Sequence, residues 1–462
     1  MLLPDTSPTR QLAEFAVALS YEDLPPPVVE RLKHCILDAL GCTIFGITLP
    51  WTRILIDLVA EEGGNPQARV IGTTFKTSVS QAALIGATAG HGFELDDIHG
   101  AAHLHAGSLA VPTALAVADA RLRVSGRRLI AAIAAGYEVG LRVALAATGK
   151  LFMRGHHFQG ACGPFVAAAA AANLLRLPSE PAHHTLGIAG SLGAGLMAVQ
   201  EGAMSKRLHS GRAAQAGVTA AYLAARGFTG IPNVLEAPYG GFLSTFSGEP
   251  QLQHLTDGLG ERFEILNVGF KPYATAASVH SPLYAIDGLM TENGLEAGDI
   301  AEVVIHCSTM AHLHCAWPYE PTGVTAAQMN LFFTAAMMII DRDALQDQFS
   351  EDRLADPAVL AMMTNIKIEV DPRYDAGGDA TRHCARVLIV TGDGRRFERE
   401  VTERPGSPEN PLSPAALQHK FETLAGDALP PAQIVLVPGV IAVLEEVDAR
   451  TLTDLVTVVA PA

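Results

Sequence analysis

The chain has 462 residues, of which 49% are hydrophobic and 17% are charged, and its formal net charge is −16. The apolar content excludes a disordered chain, and the length exceeds what one hydrophobic core usually supports, so we expect two domains or one domain with an insertion. The acidic balance argues against nucleic acid and anionic membranes as partners, because binding to phosphate groups requires a surplus of lysine and arginine.

The first residues, MLLPDTSPTRQ, lack the basic and apolar segments of a secretory signal. The longest apolar run, residues 164–175, is too short to span a bilayer and consists mostly of alanine, which is typical of a buried helix. The six cysteines form no CxxC pair and no regular framework, which favours free thiols. We therefore expect a cytoplasmic protein without a membrane partner.

In chain order, apolar spacing predicts two helices in the first 50 residues, then a short strand at 68–71 and a helix from about 78 to 93. Further helical segments are 109–122, 127–148, 164–175, 181–198 and one that ends at Gly227. These segments predict a largely helical N-terminal part. No internal repeat and no low-complexity linker interrupts it.

The pattern changes near residue 260, where residues 263–273 (FEILNVGFKPY) have the pattern of an extended segment. Residues 300–307 have the β-branched content of a strand, and segments 384–390 and 397–401 flank Gly392-Asp393-Gly394, which is typical of a hairpin. Helical spacing returns at residues 413–424 and from Ile441. We therefore predict a mainly α protein, with a large all-helical domain of residues 1–266 and 406–462 and an inserted smaller α+β domain of residues 267–405.

Residues 91–111 (HGFELDDIHGAAHLHAGSLAV) contain three carboxylates and four histidines. The carboxylates follow the C-terminal end of a predicted helix, where the helix dipole disfavours negative charge, so helix stability does not explain them. His99 and His103 have the spacing of metal ligands on a helix, which keeps a metal-dependent hydrolase as one alternative, although no HExxH motif is present. A solvated loop is the purely structural alternative.

Cations and further histidines occur in three other segments. Lys206 and Arg207 enter a small-residue helix, where they could form a carboxylate or phosphate pocket, with a surface pair as the alternative. Lys271 lies between an aromatic residue and a proline, and a partly buried lysine can carry a proton as well as bind an anion. His157, in a glycine-rich turn, can act as an acid or base near neutral pH.

No GxSxG, GxGxxG or P-loop motif is present, which argues against covalent catalysis and nucleotide chemistry. Lysines, histidines and carboxylates without a cofactor motif fit proton transfer next to a carboxylate. A non-catalytic carboxylate-binding protein would need the same residues, so it remains an alternative.

The order of these motifs resembles the MmgE/PrpD family, over nearly the whole chain. The matching segments are 91–112, 156–158, 206–214 (KRLHSGRAA), 271–273 (KPY) with 279–280, 354–357, 371–372 and 408–412 (PENPL). The resemblance implies a helical domain with an inserted α+β domain, an active site between them, a homodimer and no cofactor or metal. The family dehydrates, decarboxylates or epimerises small carboxylic acids.

The resemblance also implies the site residues. They are Glu94, His105, His157, Lys206 and Lys271, with Asp97, Tyr273 and His280 nearby and Tyr319 further off. We hypothesise a cofactor-free lyase acting on a di- or tricarboxylate, in which the lysines bind carboxylates, the two histidines form the acid/base pair, and Glu94 and Asp97 orient them. Epimerisation of an amino- or imino-dicarboxylate, which needs the same proton removal, is the second hypothesis.

This chain departs from the family pattern at three places. Ile98 replaces a common threonine, His105-Ala106-Gly107 replaces a His-Pro-Ser run, and residues 274–278 lack the usual cation. We expect these positions to contact the substrate, so they argue against 2-methylcitrate, one of the family's substrates.

Overall fold

The computed structural model describes residues 7–121, 123–378, 381–426 and 428–457. Over these residues the fold is mainly α with a smaller α+β part, as the sequence predicts. The helices before residue 260 are α1 (Pro8–Ala18), α2 (Pro26–Ile47), α3 (Pro50–Glu62), α4 (Val79–Gly90), α5 (Gly107–Asp119), α6 (Gly126–Ala147), α7 (Lys150–Met153), α8 (Phe158–Ala161), α9 (Gly163–Leu175), α10 (Ser179–Ala189), α11 (Ser205–Ala224) and α12 (Phe242–Phe246).

Local signals explain where several of these helices begin. Ser7, Ser78 and Ser125 are N-caps whose side chains accept a hydrogen bond from the amide three residues later. Helices α2 and α3 begin with proline in the first turn, where a missing N–H costs nothing.

The centre of the helical part consists of small and apolar side chains. By length and composition two helical segments, Gly126–Ala147 and Phe158–Leu175, could cross a membrane, and the bent pair α2 and α3 could form a third span. In each of the first two segments, 94% of the apolar 18-residue stretch is buried inside the protein. Helices α6 and α9 pack so closely that a Cβ at Gly140 would lie 2.1 Å from the Val166 side chain.

The α+β part contains a four-stranded sheet in the order β6-β5-β7-β8. Its strands are β5 (Ile300–Cys307), β6 (Ile366–Val370), β7 (Ala385–Thr391) and β8 (Arg396–Val401). Strands β7 and β8 form the predicted antiparallel hairpin, and β5 has the predicted bounds. Strand β6 pairs with β5 in parallel, an arrangement that the sequence did not reveal.

Helices cover this sheet and continue into the C-terminal tail. They are α13 (His280–Asn293), α14 (Thr309–Cys315), α15 (Val324–Met329), α16 (Leu331–Asp341), α17 (Glu351–Leu354), α18 (Pro357–Met363), α19 (Arg373–Ala376), α20 (Pro414–Ala425), α21 (Pro431–Ala442) and α22 (Ala449–Leu455). All six cysteines lie within the described residues, where they are buried and free.

Two segments differ from the prediction. Helix α10 ends at Ala189 rather than at residue 198, and the glycines that follow form a turn packed against other backbone. A Cβ at Gly193 would lie 2.4 Å from the carbonyl oxygen of Ala161, so this approach requires glycine. The segment predicted as extended near residue 268 contains only the two-residue strand β4 (Val268–Gly269), which pairs with β3 (Ile98–His99). The predicted strand near residue 68 is β1 (Ala68–Arg69), paired with β2 (Lys76–Thr77).

The described residues contain two hydrophobic clusters. One is built from the helical part together with the tail, and the other mainly from residues 274–401. The two chain crossings lie side by side, since the Phe270 amide donates to the Gly406 carbonyl at 2.8 Å. Lys420 of α20 donates to Asp38 of α2 at 2.7 Å and to the Leu95 carbonyl at 2.6 Å, which ties the tail to the acidic segment.

Candidate active site

A cavity of about 60 Å³ lies between the helical part and the α+β part. The five residues to which the resemblance pointed first all line it: Glu94, His105, His157, Lys206 and Lys271. Further lining residues are His103, His314, Arg382 and His383, which are polar, and Ile98, Phe152, Phe158, Met197 and Met329, which are apolar. The tertiary fold therefore brings the predicted residues together from positions up to 177 apart in sequence.

Glu94 is the centre of the charged half of the cavity. It follows α4 with a positive φ of 57°, an uncommon conformation that directs its side chain inward. Its Oε1 accepts hydrogen bonds from Lys206 and Arg207, and its Oε2 accepts one from Lys271 at 3.2 Å. Burial alone would raise the pKa of Glu94, but the three cations outweigh it and hold that pKa well below its usual range. One carboxylate thus faces three cations.

Arg207 differs from the two lysines because its guanidinium is committed to the protein. It donates to Gln328 Oε1 at 2.8 Å and to Thr325 Oγ1 at 3.2 Å, both in α15 of the α+β part. Its charged group also lies 5.8 Å from the centre of the Trp51 ring. Arg207 therefore joins the two parts, while Lys206 and Lys271 face the cavity.

The amino group of Lys206 has a pKa close to the neutral range. Burial lowers the pKa of Lys206 to about 8, against the opposing effect of Glu94. The ammonium form predominates below this pH and can bind a carboxylate. Above it, the amine binds an anion poorly.

His105 belongs to a chain of two imidazoles joined by one carboxylate. Asp96 Oδ2 lies 2.8 Å from His91 Nδ1, and Asp96 Oδ1 lies 3.3 Å from His105 Nδ1. Burial would raise the pKa of Asp96, but His105 and His91 outweigh it and lower that pKa well below its usual range. Burial lowers the pKa of His91 to about 4, so this ring is neutral near pH 7. Because Nδ1 of His105 faces Asp96, the other ring nitrogen of His105 is available to a molecule in the cavity.

His157 immediately precedes α8 and contacts a second histidine. Its Nδ1 lies 2.9 Å from the Nδ1 of His209, which is in α11. Burial, reinforced by Lys206, lowers the pKa of His157 well below its usual range. The ring is therefore neutral near pH 7 and can donate or accept a proton through its remaining nitrogen.

Asp97 does not make the orienting contact that the sequence suggested. Its Oδ2 accepts a hydrogen bond from the Tyr137 hydroxyl at 2.5 Å, and its Oδ1 accepts one from the Gly107 amide at 3.0 Å. Burial raises the pKa of Asp97 to about 8. The neighbouring carboxylate, Asp96, contacts the histidines instead, because adjacent residues in this irregular segment point in different directions.

The three outlying predicted residues are not among those that line the cavity. Tyr319 donates its hydroxyl to the Leu354 carbonyl at 2.9 Å and stacks on Phe333. Tyr273 packs edge-on against His280 at 5.5 Å, and His280 lies 3.4 Å from an Arg404 nitrogen. Burial lowers the pKa of His280 well below its usual range.

The histidine pair that suggested a metal site does not form one. His99 lies in strand β3, where its Nδ1 accepts from the Ala102 amide and its Nε2 lies 3.6 Å from Glu264. His103 follows in a turn with φ 54° and stacks on Phe158. Within the described chain, another trio could hold a divalent ion: His91, Asp96 and His105, with candidate ligand atoms within 4.8 Å of one another.

The three sequence departures lie at the site. Ile98 and residues 276–278 line the cavity. Gly107 is required by close packing, because a Cβ there would lie 2.6 Å from the Tyr137 hydroxyl and 2.8 Å from Asp97 Oδ1. The serine of the family pattern could not occupy this position without displacing both groups.

Several site residues were not predicted from the sequence. Asp96 lies next to the predicted Asp97, and only the direction of the side chain distinguishes them. Arg207 was predicted with Lys206 as part of an anion pocket, but not among the site residues. Arg382, whose guanidinium donates to the Gly100 carbonyl at 2.6 Å, and His383 carry no local signal. His209 could have been noticed, because it follows Lys206 by three residues and therefore lies on the same helix face.

Because several histidines are buried and neutral, we predict that the protein loses stability in mild acid. Burial lowers the pKa values of six of them, His91, His103, His157, His280, His314 and His383. The unfolded chain binds protons near pH 6.5 and the folded chain does not, so the free energy of unfolding falls as pH decreases below 6.5. Each histidine contributes about 1.4 kcal/mol per pH unit.

Three buried carboxyls oppose this trend, since burial raises the pKa of Asp38, that of Asp97 to about 8 and that of Glu138 to about 7. The six histidines outnumber these carboxyls, so urea unfolding at about pH 7, 6 and 5 should show a steady decrease in the free energy of unfolding. Equal values at the three pH values would contradict the prediction.

Comparison with known proteins identifies similar sequences over most of the chain. The chain matches the MmgE/PrpD N-terminal domain over residues 10–255 and the MmgE/PrpD C-terminal domain over residues 273–437. A cis-aconitate decarboxylase of Aspergillus terreus is 32% identical over 438 residues, which cover 90% of this chain and 89% of that protein. The cis-aconitate decarboxylase of Homo sapiens is 27% identical over 432 residues, 91% of this chain and 88% of that protein.

The fold, the cationic cavity lined by histidines and these relatives together support an enzyme of the lyase class, either a decarboxylase or a dehydratase. The chain belongs to the MmgE/PrpD family.

Proposed function

We propose that this protein is a carboxy-lyase that releases CO2 from an unsaturated tricarboxylate of the cis-aconitate type. The observation that carries the proposal is the charge of the cavity wall, where Lys206, Lys271 and Arg382 face one carboxylate, Glu94. A surplus of buried positive charge is stabilised by an anion with several carboxylates. The similarity to cis-aconitate decarboxylases supports the same substrate class.

The chemistry of cis-aconitate defines what the site must supply. One of its carboxylates is attached to a CH2 group next to the double bond. When the C–C bond to this carboxylate breaks, CO2 leaves and the electron pair forms a new double bond to the central carbon. The electron pair of the old double bond then takes a proton at its far carbon. Each turnover thus consumes one proton and needs an acid at that carbon.

The two halves of the cavity suit these requirements. Lys206 and Lys271 hold the two carboxylates that remain, and Glu94 keeps both amino groups in place. The departing carboxylate lies against apolar side chains such as Phe158 and Met329. A carboxylate in apolar surroundings is less stable relative to neutral CO2, so this half favours decarboxylation over loss of water.

His157 is the acid that delivers the proton, because it lines the cavity as a neutral ring with one nitrogen free of the His209 contact. His105, held by Asp96, donates a hydrogen bond to a substrate carboxylate. Catalysis by a positioned acid of this kind contributes about 10²- to 10⁴-fold.

Substrate access requires movement of the cavity wall, because about 60 Å³ is room for roughly two water molecules. A larger cleft of about 610 Å³ shares His383 with the cavity and contains His99 and Gly100. We propose that substrate enters from this cleft when the contact between Arg382 and Gly100 opens.

The proposed reaction is tested with carboxyl-labelled ¹³C cis-aconitate in D2O. We expect ¹³CO2 in amount equal to the substrate consumed and one deuterium in the product. Gain or loss of water without CO2 would instead identify a hydro-lyase. Deuterium exchange into an amino-dicarboxylate without loss of mass would identify an epimerase, and either outcome overturns the proposal.

We also propose that the reaction needs no metal or organic cofactor. The trio His91, Asp96 and His105 is the place where a divalent ion would act, but His91 Nδ1 is already hydrogen-bonded to Asp96, and His105 Nδ1 lies 3.3 Å from the other oxygen of that carboxylate. Treatment with a chelator should leave kcat unchanged. Loss of activity that added zinc or manganese restores would support metal-dependent chemistry.

The predicted homodimer is checked by light scattering.

The pH dependence follows from Lys206. Because burial lowers the pKa of Lys206 to about 8, kcat/KM should fall above this pH as the ammonium group loses its proton. In Lys206→Arg the fall should move upward by at least about one pH unit, since a guanidinium stays charged. An unchanged alkaline limb would assign it to Asp97, whose pKa burial also raises to about 8.

A further inference from the structure

His157 and His209 form a pair that extends from the cavity towards the surface. Their Nδ1 atoms are 2.9 Å apart, and their ring centres are 5.2 Å apart. His157 is buried and lines the cavity, whereas His209 is only partly buried and is not among the described residues that line it. The exposed side chains of Leu196 and Met204, which are 64% and 53% accessible, show that this end of α11 lies near the surface.

The backbone of Gly195 allows the two rings to meet. Its carbonyl accepts a hydrogen bond from the His157 amide at 3.1 Å. A Cβ at Gly195 would lie 3.2 Å from His209 Nδ1, which is closer than an ordinary contact, and 3.4 Å from His157 Cβ. The glycine turn after α10 therefore positions His157 against a helix that already supplies Lys206.

An Nδ1-to-Nδ1 hydrogen bond holds one proton, so one ring donates and the other accepts. Burial lowers the pKa of His209, as it does that of His157, and Lys206 acts in the same direction on both. His91 and His105 also face His157 from the other side. Both rings of the pair are thus neutral near pH 7, and the tautomer of one determines the tautomer of the other.

On the basis of the proposed decarboxylation, we propose that His209 relays a proton from solvent to His157, which delivers it to the substrate carbon. The starting pair has His209 Nδ1–H donating to His157 Nδ1, with a second proton on His157 Nε2. As CO2 leaves, the Nε2 proton passes to carbon, the His209 Nδ1 proton passes to His157 Nδ1, and His209 Nε2 takes a proton from water. Neither ring becomes charged, and one proton crosses from solvent to product.

The relay explains how a cavity of about 60 Å³ can supply the proton that each turnover consumes. A buried imidazole that lost its proton without replacement would become an anion, which burial strongly disfavours. After the product leaves, both rings return to their starting tautomers by exchange with solvent.

Two substitutions at His209 separate a relay from a packing role. The amide of His209→Asn can replace the Nδ1 contact with His157 but cannot pass a proton on, and His209→Phe removes both functions. We expect both to lower kcat on the order of 10²-fold with KM little changed. Added imidazole should restore activity to His209→Ala in proportion to its concentration.

The matched control is His184→Asn, since His184 is also partly buried in the helical part and bonded through Nδ1, to the Gly230 amide. This variant should keep the wild-type kcat. If His209→Asn keeps a kcat near that of the wild type, His209 is only a positioning residue and the relay is overturned. Wild-type kcat in His209→Phe, or no rescue of His209→Ala by imidazole, would also overturn it.

A measurement without substrate keeps this inference separate from the proposed function. In ¹⁵N-histidine NMR of the wild type, one ring of the pair should carry its proton at Nδ1 and the other should not. Two rings both protonated at Nε2 would overturn the relay even in an active enzyme. Failure of the wild type to release CO2 from cis-aconitate, with the shared proton present, would instead reject the proposed substrate.

Discussion

Replacing Glu94 by glutamine should lower the free energy of unfolding by about 3 to 5 kcal/mol, the cost of breaking a buried ion pair from one side. Glu94 is the only carboxylate that the structure shows in contact with Lys206, Arg207 and Lys271 together. A neutral amide leaves three buried cations facing each other. Urea unfolding of the variant and the wild type at about pH 7 measures the difference.

The control for this prediction is Glu249→Gln, which breaks an exposed pair with Lys150. Exposed pairs contribute little, so this variant should unfold as the wild type does. Adding Lys206→Met to Glu94→Gln should recover part of the lost stability, because one unpaired charge is removed. A loss as small as that of the control would mean that the three cations do not depend on Glu94.

His157→Gln should lower kcat by about 10²- to 10⁴-fold, because glutamine fills a similar volume but cannot deliver a proton to carbon. The loss should appear in kcat more than in KM, since in the proposed mechanism Lys206 and Lys271 bind the carboxylates independently of this ring. Initial rates of CO2 release from cis-aconitate measure both constants.

The neighbouring residue supplies the control. His156 precedes His157 in the chain, but it packs on Phe246 at 4.8 Å and is not among the cavity-lining residues. His156→Gln should therefore retain kcat. Equal losses in the two variants would indicate a structural effect on this turn, and full activity in His157→Gln would transfer the acid role to His105.

Local patterns in the sequence were sufficient for the elements whose stability is local. Strand β5 was predicted at its observed bounds because of its β-branched content. Helix α4 was predicted from Ser78, whose side chain caps it. The end of helix α10 was predicted nine residues too late, because the apolar spacing continues through glycines that in the structure pack against the backbone of α8.

The sequence by itself determined the helical class, the inserted α+β part and the five residues around the cavity, because ordered motifs and apolar periodicity are properties of the chain. The tertiary structure decided the contacts. The approach of Lys206 and Lys271 to Glu94 spans 112 and 177 residues. Backbone angles and packing between helices decide that Asp96 rather than Asp97 contacts the histidines. They also decide that His157 pairs with His209, and no local pattern encodes either contact.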